Sequence, residues 1–331
     1  MTQKLISFFL SLFFLLSSPA PAAPPSTPAA EPGIAPLHVA GTVLADPQGN
    51  TVRLRGVSTH GLAWFPDYVS EEAFRTLKED WGANAVRLAL YTEEYGGYCS
   101  GGDREKLKEL VDNGVTYATD LGLYVIIDWH ILSDGDPRIH QDEAVRFFDE
   151  MSRKYADHTN VLYEICNEPQ NSPWQTVIKP YAETVLATIR ANDPNAVVIV
   201  GTNTWSQDVE EVAAGRLDDE NVVYAFHFYA ATHKESYRQK VKNAVAAGVP
   251  VFVSECGLCD ASGNGGVDEN SASQWFDLLK EENISFIAWS LCNKNETAAL
   301  IKPDCAKLSG WTAEDLSQSG TLFRAAIQEK P

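Results

Sequence analysis

The sequence has no apolar run long enough to cross a membrane. Its longest, Leu5 to Leu16, is broken by Ser7 and Ser11 and falls short of the roughly 20 residues a spanning helix needs. Basic charge is scarce: Lys and Arg total 26 against 45 Asp and Glu, a net charge of −19. That balance disfavours nucleic acid and anionic membrane as partners, whereas a neutral polymer such as a polysaccharide is not repelled. No G-x-G-x-x-G follows the first apolar strand, which removes the usual sign of a dinucleotide fold. No H-x-x-x-H pair is present, and the C-x-x-C of Cys256 and Cys259 has no second pair beside it, so neither a metal nor a redox centre is indicated.

What is present begins with an export signal. Lys4, the short apolar run and the small residues Ala20-Pro21-Ala22 read as a signal peptide over 1–23, with no cysteine after the run to accept a lipid. The Pro- and Ala-rich stretch that follows, 24–36, reads as an extended tether. From Leu37 onward no second linker appears, and the roughly 290 residues that remain suit one α/β barrel. Residues 37–331 are therefore taken as a single catalytic domain.

A small N-terminal hairpin is predicted, with Asp46-Pro47-Gln48-Gly49-Asn50 as its turn. Eight apolar strands then alternate with helical patterns: Leu54 to Ser58, Ala85 to Ala89, Tyr124 to Trp129, Val161 to Cys166, Val197 to Val200, Val223 to Phe228, Val251 to Ser254 and Phe286 to Trp289. Helix starts are signalled at Ser70, Asp103 and Asp268. Buried strands each followed by a helix predict a parallel sheet, and eight such units predict the closed (β/α)8 TIM barrel.

Polar residues gather at the C-terminal ends of these strands: Arg87 in the second, Asp128 and His130 at the third, Asn167 and Glu168 at the fourth, His227 and Tyr229 at the sixth, Ser254 and Glu255 at the seventh, Trp289 at the eighth. In a barrel those ends form one face, where active sites of this fold are built. Glu168 and Glu255 lie on strands facing each other across the mouth, and a carboxyl pair is what glycoside hydrolysis requires. Arg87 is placed to keep Glu255 charged, Tyr229 to orient it and Asn167 to bond a sugar 2-hydroxyl. Trp64, Trp129, Trp174, Trp205 and Trp289 sit at or after strand ends, and two or three of them are expected to stack on sugar faces.

The stretches VIIDWHILSD (Val125 to Asp134), YEICNEP (Tyr163 to Pro169), GTNTWSQDV (Gly201 to Val209), YAFHFYA (Tyr224 to Ala230), VFVSECG (Val251 to Gly257) and WSLCNKNETAAL (Trp289 to Leu300) together resemble the bacterial secreted cellulases of glycoside hydrolase family 5. The resemblance runs from about Leu37 to Gln328. It implies endo-hydrolysis of β-1,4-glucan with retention, by a monomer outside the cell, with Glu168 as acid/base and Glu255 as nucleophile. It places Arg87, His130, Asn167, His227, Tyr229 and Trp289 around the cleavage point. It places His60, Trp64, Tyr91, Lys294 and Glu296 on the non-reducing side of the groove and Trp205 on the leaving-group side. It implies no metal and no cofactor.

Three other readings compete: a related β-glycanase acting on mannan, xylan or mixed-linkage glucan, a sugar-binding protein without catalysis, and a metal hydrolase built on Asp128, His130 and His227. Of the cysteines, Cys166 and Cys256 are expected to stay thiols, while Cys99, Cys259, Cys292 and Cys305 are the candidates for pairing.

Overall fold

The computed structural model describes residues 34–329. The signal peptide and most of the tether lie outside the described residues. A two-stranded antiparallel sheet, β1 (His38–Ala40) and β2 (Val43–Ala45), precedes a closed barrel of eight parallel strands. These are β3 (Arg55–Thr59), β4 (Ala85–Tyr91), β5 (Tyr124–His130), β6 (Val161–Glu164), β7 (Val198–Val200), β8 (Val222–Tyr229), β9 (Val251–Gly257) and β10 (Phe286–Leu291), with β10 pairing back onto β3. All eight predicted strands are present, with ends that coincide or shift by up to three residues. The predicted turn Asp46 to Asn50 closes a single antiparallel bridge, Ala45 with Thr51, and the β1–β2 pair adds a second reversal ahead of it. The chain reverses at Gly41-Thr42, and Asp46 to Asn50 form the next turn, closed by Asp46 Oδ1 accepting from the backbone of Gln48 and Asn50 at 2.9 and 2.8 Å.

The three helix starts predicted from Ser70, Asp103 and Asp268 are N-caps. Their side chains accept from the backbone N–H of Ala73, Lys106 and Ser271 respectively, satisfying donors that the first helical turn leaves open. The capped helices, Glu71–Glu79, Arg104–Asp120 and Glu269–Glu281, pack outside the barrel.

Strand parity decides which side chains face the mouth. Along β5, Tyr124 and Ile126 belong to the core inside the barrel, so Asp128 and His130 continue that inward face. Val125, Ile127 and Trp129 face outward into the layer shared with the helices. Trp129 therefore packs against Phe147 and Phe148 of the helix Gln141–Lys154 and is fully buried. Trp174 is buried too, its indole donating to Gly215 O at 2.9 Å. Of the five candidate tryptophans, only Trp64, Trp205 and Trp289 line the mouth.

β9 breaks the alternation. Its neighbours pair as Ala225↔Phe252 then His227↔Glu255, and as Phe286↔Val253 then Ala288↔Cys256, so β9 carries one extra residue against both. This bulge lets the consecutive residues Ser254 and Glu255 both turn inward, between the outward Val253 and Cys256.

All six cysteines are free thiols. This agrees with the expectation for Cys166 and Cys256 and departs from it for Cys99, Cys259, Cys292 and Cys305. Cys292 Sγ faces Ser290 Oγ at 3.7 Å and Cys305 Sγ faces Asp315 Oδ1 at 3.6 Å, so these side chains point at polar neighbours of their own.

Gly201, just past β7, lets the segment after β6 lie against it: a Cβ there would fall 2.1 Å from Cys166 O and 2.9 Å from Asn167 O. Both atoms are backbone, so no rotamer change relieves the clash. Gly201→Ala is expected to lower unfolding free energy by about 3 kcal/mol. Gly266→Ala, where a Cβ meets nothing within 4 Å, should stay within about 0.5 kcal/mol of the parent. Urea unfolding midpoints would separate the two, and equal midpoints would contradict the packing argument.

Candidate active site

Arg87, on the inward face of β4, has no exposed surface. Its guanidinium makes four hydrogen bonds and a further ion pair. Nε donates to Glu164 Oε2 at 2.7 Å, Nη1 to Glu255 Oε2 at 3.3 Å and Ser58 Oγ at 3.4 Å, and Nη2 to Asn167 Oδ1 at 2.7 Å, while Asp128 Oδ2 pairs with Nη2 as an ion at 3.1 Å. Burial opposes the cation, but the carboxylates of Asp128, Glu164 and Glu255 outweigh it and hold the guanidinium protonated.

These contacts fix the hydrogen positions around them. Because Asn167 Oδ1 accepts from Arg87, its amide Nδ2 must donate, and it reaches His130 Nε2 at 3.2 Å and Ile131 O at 3.1 Å. His130 Nε2 is then an acceptor, and Nδ1–H donates to Asp128 Oδ2 at 2.6 Å. Burial and the positive charge of Arg87 and His227 keep His130 well below its ordinary pKa, hence neutral. Asp128 Oδ1 is buried without a partner, and burial pushes this carboxyl above the usual carboxylate range.

The same logic sets His227. Burial raises the Glu164 carboxyl, but Arg87 and the His227 side overcome it and hold it down at about 2, so Glu164 accepts and Ser254 Oγ donates to it at 2.6 Å. Ser254 must accept from His227 Nε2–H, 2.9 Å away. His227 Nδ1 is left facing Glu168 Oε1 at 3.0 Å. Burial works against the imidazolium, yet its bonds toward Glu164 and Glu168 raise His227 to about 9.

Glu255 Oε1 accepts from Tyr229 OH at 2.8 Å. Gly257 makes room for that ring, since a Cβ there would fall 2.4 Å from Tyr229 Cδ1. Burial and the nearby Glu168 charge raise Glu255 to about 7, against the pull of His227, Arg87 and Tyr229. Oxygens of Glu168 and Glu255 and a ring nitrogen of His227 all lie within 4.8 Å of one another.

Above this floor opens a cleft of about 600 Å³. Twelve of the fourteen site residues read from the sequence line it: Glu168 and Glu255 with His60, Trp64, Tyr91, His130, Trp205, His227, Tyr229, Trp289, Lys294 and Glu296. Arg87 and Asn167, both fully buried, lie beneath it. Trp289 stacks on His130 at 5.2 Å, and Lys294 Nζ pairs with Glu296 Oε2 at 2.6 Å. Trp205 stands at the rim on a backbone turn in which Thr204, Trp205 and Ser206 all have φ near +55°. Asp128, His130 and His227, the metal-hydrolase set, do not bring ligand atoms to one point among the described residues.

The sequence reading missed Glu164, and it did not assign Ser254 or Ser58 a part. The available signal was parity: Glu164 shares the inward face of β6 with Leu162, where a charged residue demands a buried partner. Gln207 and His233, which also line the cleft, gave no such signal.

The family model for cellulase, glycosyl hydrolase family 5, matches residues 45–295. Endoglucanase A of Evansella cellulosilytica is 50% identical over 283 residues, 85% of this chain and 57% of that protein. Endoglucanase A of Butyrivibrio fibrisolvens is 46% identical over 286 residues, covering 86% and 66%. The chain thus spans less than two thirds of the length of these curated relatives. Among solved structures, the catalytic domain of Thermobifida fusca endoglucanase Cel5A in complex with cellotetraose superposes with a TM-score of 0.83 at 38% identity, covering 89% of this chain and 98% of that one. A match that takes in the barrel from its first strand to its last, with relatives at up to half identity, means that this chain belongs to glycosyl hydrolase family 5, the cellulase family.

Proposed function

We propose that the chain is an endo-β-1,4-glucanase that hydrolyses cellulose and related β-glucans with retention of configuration, with Glu255 as nucleophile and Glu168 as acid/base. The observation that carries this reading is the approach of the two carboxyl groups to within 4.8 Å between their nearer oxygens. Retaining glycosidases hold their carboxyl groups about 5 to 5.5 Å apart, and inverting ones about 6.5 to 9.5 Å. In the same reading residues 1–23 direct export, 24–36 tether, and the barrel acts outside the cell as a monomer without metal or cofactor.

Arg87 and Tyr229 donate to the Glu255 oxygens, which favours its charged form. In that form Glu255 attacks the anomeric carbon while Glu168 protonates the departing oxygen. Once Glu255 is esterified its charge is gone, and with it the repulsion that Glu168 would feel on ionising. Glu168 then takes a proton from the incoming water. Neutral His130, held by the Arg87 network through Asn167 beneath it, borders the position of the sugar being cleaved. Trp205 offers a face to the leaving sugar, while Trp64, Tyr91, His60, Lys294 and Glu296 line the other arm.

Product anomers from soluble cellulose, with glucomannan and xylan in parallel, test substrate and stereochemistry together. The expected result is β-configured product and fastest turnover on the cellulose derivative. With an activated aryl cellobioside, Glu168→Gln should still form the covalent intermediate, stall there, and be rescued by azide as a β-glycosyl azide. Glu255→Gln should form no intermediate. Rescue of Glu255→Gln with an α-product would reverse the two roles.

The acid limb of the pH profile gives a further check. Glu255 loses its charge as pH falls through its raised pKa of about 7, and part of that elevation comes from Glu168. Glu168→Gln removes that charge, so the acid limb for formation of the glycosyl-enzyme should move to lower pH. A limb that stays in place or moves up would show that Glu168 does not set it.

A further inference from the structure

Among the described residues, three metal-ligating side chains converge at two places: Glu168, His227 and Glu255 at the cleft floor, and His60, Cys292 and Glu296 in its wall. A histidine binds an ion through a bare ring nitrogen while the other nitrogen keeps its proton. In the wall this is blocked. His60 Nδ1 accepts from Gly61 N–H at 2.7 Å, so the proton resides on Nε2, the nitrogen that faces Glu296 at 3.7 Å. Lys294 already supplies Glu296 with a cation at 2.6 Å.

On the floor the hydrogen bonding runs the other way. Ser254 donates to Glu164 and so accepts from His227 Nε2–H, which leaves Nδ1, whose proton faces Glu168, as the ring nitrogen that an ion would take in place of that proton. Tyr229 and Arg87 fix Glu255 from behind, and all three ligand-bearing residues line the open cleft. We propose that Glu168, His227 and Glu255 form a binding site for a late first-row divalent cation, with Zn2+ as its type, and that an ion there excludes the glucan chain. This rests on the glucanase reading of the same cleft. One imidazole and two carboxylates, with a water completing four-coordination, are a normal zinc ligand set. Bonds of about 2.0 to 2.2 Å require ligand atoms roughly 3.5 Å apart, and His227 Nδ1 and Glu168 Oε1 are already at 3.0 Å. The ion displaces the proton between those two atoms, and its charge removes the repulsion that separates the glutamates. Mg2+, which prefers six oxygens, does not fit the set.

The test is calorimetric titration of Zn2+ into the full chain and its variants, which needs no turnover. The parent should bind one ion tightly, Glu255→Gln should bind it at least tenfold more weakly, and Cys292→Ser should bind like the parent, with melting temperatures recorded to show that each is folded. Cellotetraose should displace the ion, and Zn2+ should inhibit cleavage of an aryl cellobioside competitively. Unchanged Zn2+ affinity in Glu255→Gln, or loss of binding in Cys292→Ser, would overturn the site. Loss in Glu255→Gln without displacement by cellotetraose would keep the ion site and instead count against the glucan reading.

Discussion

The site depends on one buried cation. Arg87 makes four hydrogen bonds and an ion pair with five residues from four strands and the loop after one of them, and through Asn167 and Glu164 it fixes hydrogen positions in their neighbours. A lysine could not substitute, since three donors on a flexible stem cannot reach five fixed partners. Removing one partner of a buried ion pair typically costs about 3 to 5 kcal/mol because the other charge is stranded. The network is therefore held together by what its partial loss would cost, whatever its net contribution to stability.

Charge bookkeeping under the cleft follows from that cation. Arg87 and the His227 imidazolium stand against Glu164, Asp128 and the Glu168–Glu255 pair. Glu164 takes two strong donors, Arg87 Nε and Ser254 Oγ, and stays ionised. Glu255 shares Arg87 with four other residues at a longer 3.3 Å and sits near Glu168, so burial and that neighbour raise its carboxyl instead. Glu164 and Glu255 thus acquire opposite tendencies from distance and competition for one guanidinium. The sequence reading had Arg87 simply keeping Glu255 charged. It could not see that Glu164 holds the shorter bond to the same guanidinium.

Much of the architecture was legible because it rests on local rules. Runs such as Tyr124 to Trp129 and Val161 to Cys166 announce buried strands, and Ser70, Asp103 and Asp268 announce caps, without reference to anything distant. The rim residues were legible because the barrel sends every strand end to one face. What escaped depends on parity and register. Trp129 and His130 are adjacent at the end of β5, yet one faces the helices and the other the cleft. Ser254 and Glu255 share the inward face only because of a bulge visible in pairing, not in composition. The unpaired cysteines belong to the same class, since pairing depends on where side chains point.

The segment after β6 shows how the fold holds an unfavourable element in place. Three successive residues at positive φ around Trp205 cost roughly 1 to 2 kcal/mol each for non-glycine residues. The turn persists because its atoms are claimed on all sides: Trp205 N–H by Pro169 O at 3.0 Å, Ser206 Oγ by Asn167 O at 2.7 Å, Asn203 Oδ1 by Ser172 N–H at 2.9 Å and Thr204 Oγ1 by Asp208 Oδ2 at 2.6 Å. Asn167 and Pro169 flank Glu168. One short stretch thus binds Arg87 through the Asn167 side chain, aims Glu168 at the cleft floor and braces the Trp205 turn through its carbonyls. Trp205 cannot relax to an ordinary turn without releasing acceptors on either side of Glu168, so the position of an exposed aromatic ring at the rim is tied to the carboxylate chemistry beneath it.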